Sequence, residues 1–528
     1  MVQCGILPHQ LRAVHDEFEK KTKGLNGGAC MKEKSIIIVG AGMGGLGAGI
    51  YGQLNGYRTQ IFEMNGVPGG QCAAWKRKGY TFDACIHHLF GCAPTSLLYG
   101  LWEELGAVPR EFVPTRECVS VLSPKGKLFI DYYDLDMLES HMNELAPFDR
   151  RVIHDYVQGI RSTAKSDAMG KMMLGSKRDL VTALPGLLRS WRWLRPTMAQ
   201  YAERFGNPFL QRAFPLLVYS FPFMPLIVHL SRHAYGLTGA LQWPMGGALE
   251  LAKSIAKRYT NLGGELHYRS KVVKILAGGG RAIGVKLEDG SEHHADIIIS
   301  NADGRRTILE MLHGRFMDDR IRGYCEPPDD EMPWAVHVFL GVNRDLSKEP
   351  SSLVMLLDEP VTIANHECHS VEMQMYGFDP GMAPEGKGVI KVELVSQHSY
   401  WKRLAENGTA YEEEKQRVAD QVIDLLERRY FTGLRQQVEV IDVPTLLTWE
   451  RFVGGTMGLG FSPNRKMSVT GSVFGKNLNS TLPGLSDFYF VGTWATSAGA
   501  LFMNALSGKR VVQGLCKADG RTFTSGAA

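Results

Sequence analysis

The fold is decided by the stretch SIIIVGAGMGG, which runs from Ser35 to Gly45. Its first five residues are mostly β-branched and end abruptly at glycine, which is typical of a buried parallel strand. Residues 44–54 then fit a helix that stops at an Asn-Gly pair. The glycines fit G-x-G-x-x-G, which allows a tight turn, the approach of a pyrophosphate and close packing of helix on strand. We therefore predict a dinucleotide site whose glycines are Gly40, Gly42, Gly44 and Gly45.

A second strand, predicted over residues 58–63, ends in the acid Glu63. A carboxylate at this distance can bind a ribose hydroxyl and repels a 2′-phosphate, so it favours FAD or NAD over NADP. The following VPGGQ contains a second glycine pair, Gly69 and Gly70, and then Gln71. This pair resembles the extended fingerprint of large flavoproteins of the glutathione-reductase type, which favours FAD.

Residues 35–91 resemble the N-terminus of the superfamily of phytoene desaturases, carotenoid isomerases and retinol saturases. Besides the glycines and Glu63, the matching segments are GYTFDACIHH at 79–88, WPMGG at 243–247, RSKVVKI at 269–275, AIGV at 282–285, residues 295–303, residues 484–493 and SGKR at 507–510. The resemblance implies an α/β fold. It consists of a Rossmann-like FAD-binding domain of glutathione-reductase type, built from discontinuous segments, with an inserted α+β substrate domain. It also implies that the backbone of Val272 contacts the adenine.

Six segments follow from the changes of pattern along the chain. They are a leader at 1–34, FAD-binding parts at 35–110, 236–305 and 481–528, and substrate-domain parts at 111–235 and 306–480. Within them we predict helices over 135–145, 149–163, 246–259 and near 412–429, and a last strand over 488–491 followed by a helix that ends near Leu515.

The C-terminal segment is expected to contact the flavin. A helix N-terminus pointed at the pyrimidine end of the isoalloxazine would stabilise negative charge on the reduced ring. The candidates for this contact are Gly492, Thr493, Gly499 and Ala500. Two features depart from the resemblance: Gln71 replaces an arginine, and residues 497–504 replace a loop richer in glycine and proline. The second departure leaves substrate and reaction direction open.

Three residues are candidates for catalysis. His87 and His88 follow Asp83, and a histidine has an unperturbed pKa suited to proton transfer. A structural hydrogen bond is the alternative role for either one. We further predict that Arg451, with Gly454, Gly455 and Gly458, forms a loop over the substrate.

Composition limits the partners. The net charge of +4 over 528 residues and the absence of a zinc-finger or RNA-binding motif argue against nucleic acid. Nine scattered cysteines predict reduced thiols and a cytoplasmic location, and the first residues are too polar for a signal peptide. The Trp- and Arg-rich segment 187–195 is compatible either with peripheral membrane contact or with an ordinary domain core.

The leading hypothesis is an FAD-dependent oxidoreductase that desaturates, saturates or isomerises an apolar, isoprenoid-like polyene by hydride transfer through flavin N5. Its electron donor or acceptor is not identified by the sequence. A flavin amine oxidase is the first alternative. A prenyl-binding protein of the GDP-dissociation-inhibitor type, which binds without flavin catalysis, is the second.

Overall fold

The computed structural model describes residues 33–108, 111–165, 170–171, 181–182, 185–186, 191–218, 220, 222–326, 334–455, 480–496 and 500–526. Of the predicted leader at 1–34, only residues 33–34 fall within these ranges. The strands are β1 Ser35–Val39, β2 Arg58–Phe62, β3 Ala74–Arg77, β4 Tyr80–Asp83, β5 Leu89–Phe90, β6 Phe112–Val113, β7 Glu117–Leu122, β8 Leu128–Tyr132, β9 Leu241–Pro244, β10 Glu265–His267, β11 Val272–Gly278, β12 Arg281–Leu287, β13 Glu292–His294, β14 Ile297–Ser300, β15 Trp334–Val342, β16 Ser352–Ile363, β17 His366–Met375, β18 Gly388–Ser396, β19 Val438–Asp442 and β20 Phe488–Phe490.

The α-helices lie between groups of these strands and after the last one. They are α1 Met43–Leu54, α2 Leu97–Glu104, α3 Leu135–Leu145, α4 Arg150–Ala164, α5 Met198–Ala202, α6 Pro208–Ala213, α7 Leu226–Leu237, α8 Gly247–Asn261, α9 Asp319–Cys325, α10 His398–Ala405, α11 Gly408–Arg429, α12 Leu434–Gln437, α13 Leu446–Val453 and α14 Leu501–Ala518. The structure also has a 3₁₀ turn at Phe214–Leu216 and a π-helical turn at Arg306–Met311.

A parallel sheet with the order β10-β2-β1-β14-β20 forms the first layer. Its central strand β1 is buried on both faces, as the unbroken apolar run predicts. The predicted strand β1 is confirmed, and β2 ends at Phe62, one residue before Glu63. The sheet takes its strands from three separated parts of the chain, as the discontinuous FAD-binding domain requires. The exact segment boundaries stay a proposal.

A larger sheet with the order β19-β15-β18-β17-β16-β7-β8 forms the second body. The pairs from β19 to β17 and the hairpins β16–β17 and β7–β8 are antiparallel, whereas β16 pairs with β7 in parallel. Helix α11 covers one face, where Val418, Val422 and Leu426 are buried in the same core as Val338 of β15. The opposite face carries polar side chains and is described with the site below.

The predicted helices are largely confirmed. Helix α3 has the predicted bounds, and α4 is shifted by one residue. Helix α11 begins four residues earlier than predicted because the side chain of Asn407 accepts a bond from the N–H of Ala410 and caps the helix. Gly246 was predicted to lie in α8 but precedes it, because its φ of 84° is left-handed.

The cysteines, one tryptophan pair and the helices bear on the predictions of reduced thiols and membrane contact. The seven cysteines among the described residues are free thiols. Trp193 is buried in a core of aromatic and aliphatic side chains, whereas Trp191 is 59% exposed, so half of the described Trp pair belongs to the domain core. Over the described residues, the helices all fall short of the length and apolarity that crossing a membrane requires.

Candidate cofactor cradle and polar row

The glycine turn forms the floor of a narrow cradle between β1 and α1. Gly40 has a φ of 93°, and its N–H donates to the carbonyl of Phe62 at 2.8 Å. A Cβ on Gly42 would lie 2.6 Å from the side-chain nitrogen Nδ2 of Asn301. A Cβ on Gly44 would lie 2.7 Å from the backbone nitrogen of Gly492. The turn therefore has room for backbone only, as the G-x-G-x-x-G pattern predicts.

Glu63 connects this turn to the next strand. Its Oε2 accepts from the N–H of Ala41 at 2.7 Å, and its Oε1 accepts from the N–H of Asn65 at 2.8 Å. Burial raises the pKa of Glu63, and these two N–H bonds oppose that rise. Each oxygen keeps a further lone pair, so the carboxylate can order the turn and still accept from a ribose hydroxyl.

The second glycine pair touches the first turn directly. The N–H of Gly69 donates to the carbonyl of Ala41 at 2.9 Å, and a Cβ on Gly70 would lie 3.3 Å from the α-carbon of Gly42. Both glycines have positive φ, 116° and 59°. Gln71 follows at the edge, and its carbonyl accepts from the N–H of Ala73 at 2.9 Å.

The C-terminal segment closes the cradle from the opposite side. Gly492 has a φ of 80°, and its N–H donates to Ser507 Oγ at 2.7 Å. Thr493 Oγ1 accepts from Asn504 at 3.4 Å, and Ala500 is the residue that precedes helix α14. Gly499 lies outside the described residues. Asn301, which lies in the matching segment 295–303, has its side chain beside the Gly40–Gly45 turn and beside Gly492.

The strand that begins at Val272 reaches the ribose side of the cradle. The N–H of Ser270 donates to the carbonyl of Glu63 at 2.8 Å, and that of Arg269 donates to the carbonyl of Asn65 at 3.0 Å. Val272 itself is buried and pairs with Leu287. Val272, which is predicted to face an adenine, is therefore only two residues from Ser270, whose N–H is bonded to Glu63.

These observations match the demands of a dinucleotide. Gly42 is the residue before α1 and brings no side chain to that helix end, so the first N–H groups can bind phosphate oxygens. The acid, two glycine turns and the start of β11 surround the same space. The residues present therefore fit FAD, for which Gly40, Gly42, Gly44, Gly45, Glu63, Gly69, Gly70 and Val272 are the candidates to hold the nucleotide.

A row of polar side chains covers the sheet face that looks toward the hairpin β3–β4. Residues on one strand share a face when they are two apart, and directly paired residues share it as well. Glu393 pairs with His337 on one side and Glu372 on the other, while Lys391 pairs with Gln374. We call these five residues the polar row. The polar row was not predicted from the sequence, although charged residues alternate with apolar residues along these strands.

The polar row holds a buried ion pair. Lys391 Nζ lies 2.7 Å from Glu393 Oε1, and the lysine side chain is fully buried. Although burial alone would raise it, Lys391, His87 and His337 hold the pKa of Glu393 well below its usual range. Burial, and then Glu393, raises the pKa of Glu372 to about 7, while a bond from Ser220 Oγ at 2.7 Å opposes the rise. Such displaced pKa values are typical of functional sites.

His87 joins the polar row, and His88 lies beside it. The Nδ1 of His87 contacts the side-chain amide of Gln374, and its Nε2 lies 3.4 Å from Glu393 Oε1. Burial, and next Lys391, lowers the pKa of His87 to about 3. Burial followed by Arg232 lowers the pKa of His88 well below its usual range. Both imidazoles are therefore neutral at pH 7, which suits hydrogen bonding, and a pKa of about 3 makes His87 a weak proton acceptor.

Asp83 fixes the position of this pair. Its Oδ1 accepts from the N–H of Cys85 and Ile86, and its Oδ2 accepts from the N–H of Ala248 at 2.6 Å. Because Ala248 lies in the first turn of α8, the carboxylate joins the histidine segment to the helix that follows WPMGG.

The predicted loop at Arg451 is wrong. Arg451 lies in the last turn of α13, with an exposed side chain, and the helix ends at Gly454 with a φ of 68°. A capping box at Thr445 begins this helix, and WERF then continues it with Trp449 buried. Gly458 lies outside the described residues. A catalytic role for Arg451 stays a prediction.

Comparison with known proteins identifies the class. The family model described as flavin containing amine oxidoreductase matches residues 43–514. A prolycopene isomerase from an Oncidium hybrid cultivar is 25% identical over 90% of this chain and 83% of its own. A lycopene-forming phytoene desaturase from Pseudescherichia vulneris is 26% identical over 81% of this chain and 89% of its own. A solved oxidoreductase from Methanosarcina mazei has a TM-score of 0.58 at 18% identity, covering 91% and 100% of the two chains.

The fold and the cradle define a dinucleotide-binding flavoprotein. The chain belongs to the flavin-containing amine oxidoreductase family, because the family model covers most of its length. The predicted resemblance, the α/β fold of FAD-binding type and the assignment as an FAD-dependent oxidoreductase are thereby confirmed. The reading as a binding protein without flavin chemistry is not retained.

Proposed function

We propose that this oxidoreductase acts on carbon–carbon bonds of an apolar polyene, by desaturation, saturation or isomerisation. The observation that carries the proposal is that relatives named for prolycopene isomerisation and for phytoene desaturation both align over most of this chain and of their own. A shared cofactor domain alone would leave the substrate half unmatched. Here the alignments cover 90% and 81% of this chain, so they extend into the large sheet.

The cradle residues are proposed to bind the nucleotide and to keep its flavin end against the polar row. The hairpin β3–β4 supports this placement, since it continues directly from Gly70 and packs on the large sheet through Trp75 and Phe339, whose ring centroids are 5.3 Å apart. When bound, FAD supplies hydride exchange with a substrate carbon through N5 of its isoalloxazine ring.

We assign positioning and proton handling to the polar row and the histidine pair. Glu372 is the candidate for taking up or releasing a proton near neutral pH, because its pKa of about 7 gives both forms in comparable amounts. Neutral His87 is held by Gln374 and Glu393, so we assign it to hydrogen bonding and positioning. Lys391 supplies fixed positive charge beside both acids.

The partners are proposed more coarsely. An apolar polyene dissolves in membranes, so we propose peripheral membrane contact near the exposed Trp191 of a cytoplasmic protein. The electron donor or acceptor stays unassigned.

The test is chromatography and mass spectrometry of polyenes incubated with oxidised and with reduced holoenzyme. We expect one polyene to lose two hydrogens with the oxidised enzyme, gain two with the reduced enzyme, or change retention at constant mass. These outcomes indicate desaturation, saturation and isomerisation. An unchanged panel in both redox states would contradict the proposal.

The family description favours one second candidate, an amine oxidase. Its test is peroxide formation in air with a panel of primary and secondary amines. Amine-dependent peroxide without any change of the polyenes would favour this candidate. Neutral His87 and His88 do not discriminate between the two, so the substrate panel decides.

A further inference from the structure

A second buried cluster lies outside the cradle and the polar row. It consists of Cys118 on β7, Asp131 on β8, and His229 and His233 on α7, and we call it the Cys118 cluster. All four side chains are buried, and relative exposure is 0% for each. Nothing in the proposed flavin chemistry requires four potential metal ligands at this place.

The spacing of Cys118, Asp131 and His229 suits a metal site, and His233 adjoins these three residues through Asp131. His229 Nε2 lies 3.5 Å from Asp131 Oδ2, and His233 Nε2 lies 3.4 Å from Asp131 Oδ1. Ligand atoms of Cys118, Asp131 and His229 lie within 4.8 Å of one another. Neighbouring ligands of a tetrahedral zinc ion are about 3.3–3.7 Å apart, given metal–ligand bonds of about 2.0–2.3 Å.

Several polar atoms of the cluster lack a hydrogen-bond partner within the described part of the chain. They are both ring nitrogens of His233, Nδ1 of His229 and Oδ2 of Asp131. Leaving a buried donor or acceptor unsatisfied costs about 1–3 kcal/mol, so an unsatisfied group in a native core calls for an explanation such as an ion. A coordinated metal would satisfy one nitrogen of His233 and Oδ2 of Asp131, and it would bind His229 through Nε2, the nitrogen that faces Asp131.

Local structure brings the four residues together. His229 and His233 are four apart on α7 and therefore share a face. Cys118 and Asp131 lie on the paired strands of the β7–β8 hairpin. A thiolate, a carboxylate and two imidazoles are donors that suit zinc, whereas magnesium and calcium prefer oxygen alone.

We propose that the Cys118 cluster binds one zinc ion and thereby fastens helix α7 to the β7–β8 hairpin. Four protein ligands leave no open position, so the role is structural. Tyr156 is compatible with this arrangement. Its hydroxyl contacts His229 Nε2 at 2.6 Å and has Asp131 Oδ1 at 3.3 Å as a second acceptor, so it keeps a partner when zinc takes the imidazole lone pair.

The test measures metal in the flavin-loaded enzyme. Purified holoenzyme is stripped with a chelator, titrated with zinc, and separately loaded with cobalt. We expect ~1 equivalent of zinc, a higher unfolding temperature with zinc, and a thiolate-to-cobalt band in the difference spectrum against zinc-loaded protein of equal flavin content.

Three variants locate the site, and flavin content verifies that each one folds. Cys118→Ser should abolish the thiolate band, and His233→Gln should weaken zinc binding at least ~10-fold. Tyr156→Phe, the matched control in the same network, should bind zinc within ~2-fold of the parent protein, since it removes no ligand. The proposal is overturned if the parent protein takes up neither metal, or if Cys118→Ser and His233→Gln bind zinc as the parent does.

Discussion

The cradle and the polar row have different proposed roles and are built from different parts of the chain. The cradle is built mainly from backbone, within 35–70 and around Gly492, and works because side chains are absent. The polar row is built from side chains on three strands between residues 334 and 396, and works because charges are buried in pairs. Cofactor binding here therefore depends on space left free of side chains, whereas proton handling depends on electrostatics.

The largest expected effect breaks the cradle. Gly42→Val would bring a branched side chain onto Asn301 and into the space of the pyrophosphate. We expect FAD affinity to fall at least ~1,000-fold, about 4 kcal/mol, measured by flavin fluorescence after gel filtration. Gly514→Ala on α14 is the control, because a Cβ there meets nothing within 4 Å. Full FAD occupancy in the valine variant would show that the site is misplaced.

The next effect breaks the polar row. Lys391→Met leaves Glu393, whose side chain is 21% exposed, without its partner, and we expect the free energy of unfolding to fall by about 2 kcal/mol, less than for a fully buried pair. FAD binding should be affected less than in Gly42→Val, because the cradle is intact. The double variant Lys391→Met with Glu393→Leu should regain most of the loss in denaturant titration. Equal stability of the single and double variants would contradict a coupled pair.

A smaller effect concerns pH. The pKa of Glu372 is raised in the folded protein to about 7, so its carboxyl favours folding when protonated. Its contribution is fully present below the unfolded value, near 4.5, and is lost as the pH rises through about 7. Glu372→Gln should therefore flatten the decline of unfolding free energy between these values. Denaturant midpoints at several pH values test this, and an unchanged slope in the variant would speak against it.

The smallest effect is expected at Arg451. Its side chain is exposed at the end of α13, and we expect Arg451→Ala to change the unfolding free energy by less than about 0.5 kcal/mol. Turnover should stay within about twofold, since the exposed side chain does not contact the polar row in any described interaction. A much larger loss of turnover with normal FAD content would restore Arg451 as a catalytic candidate.

The sequence predicted the cradle well because its requirements are local. Gly40, Gly42 and Gly45 follow one strand, and Glu63 comes at the end of the next, so a fixed spacing places these four residues together, while their binding of FAD stays a prediction. Helix and strand bounds were mostly right within a few residues, with the exception of Arg451, where a glycine pair suggested a loop although the capping box at Thr445 begins a helix.

The polar row could not be predicted in the same way. Lys391 and Glu393 alternate on one strand, but their neighbours His337 and Glu372 come from strands whose pairing no local pattern states. Burial is also invisible in sequence, and burial is what raises the pKa of Glu372 and lowers that of His87. His87 was named as a candidate because of its residue type and its position after Asp83, whereas Glu372 was found only from the fold.

The most direct test of the central claim is an anaerobic spectral titration of the purified protein with polyene lipids. We predict stoichiometric FAD whose absorbance is bleached by one polyene, or restored by one polyene after reduction with dithionite, or left unchanged while that polyene isomerises on the reduced enzyme. Retained FAD that exchanges electrons only with amines, with every polyene recovered unchanged, would contradict the account.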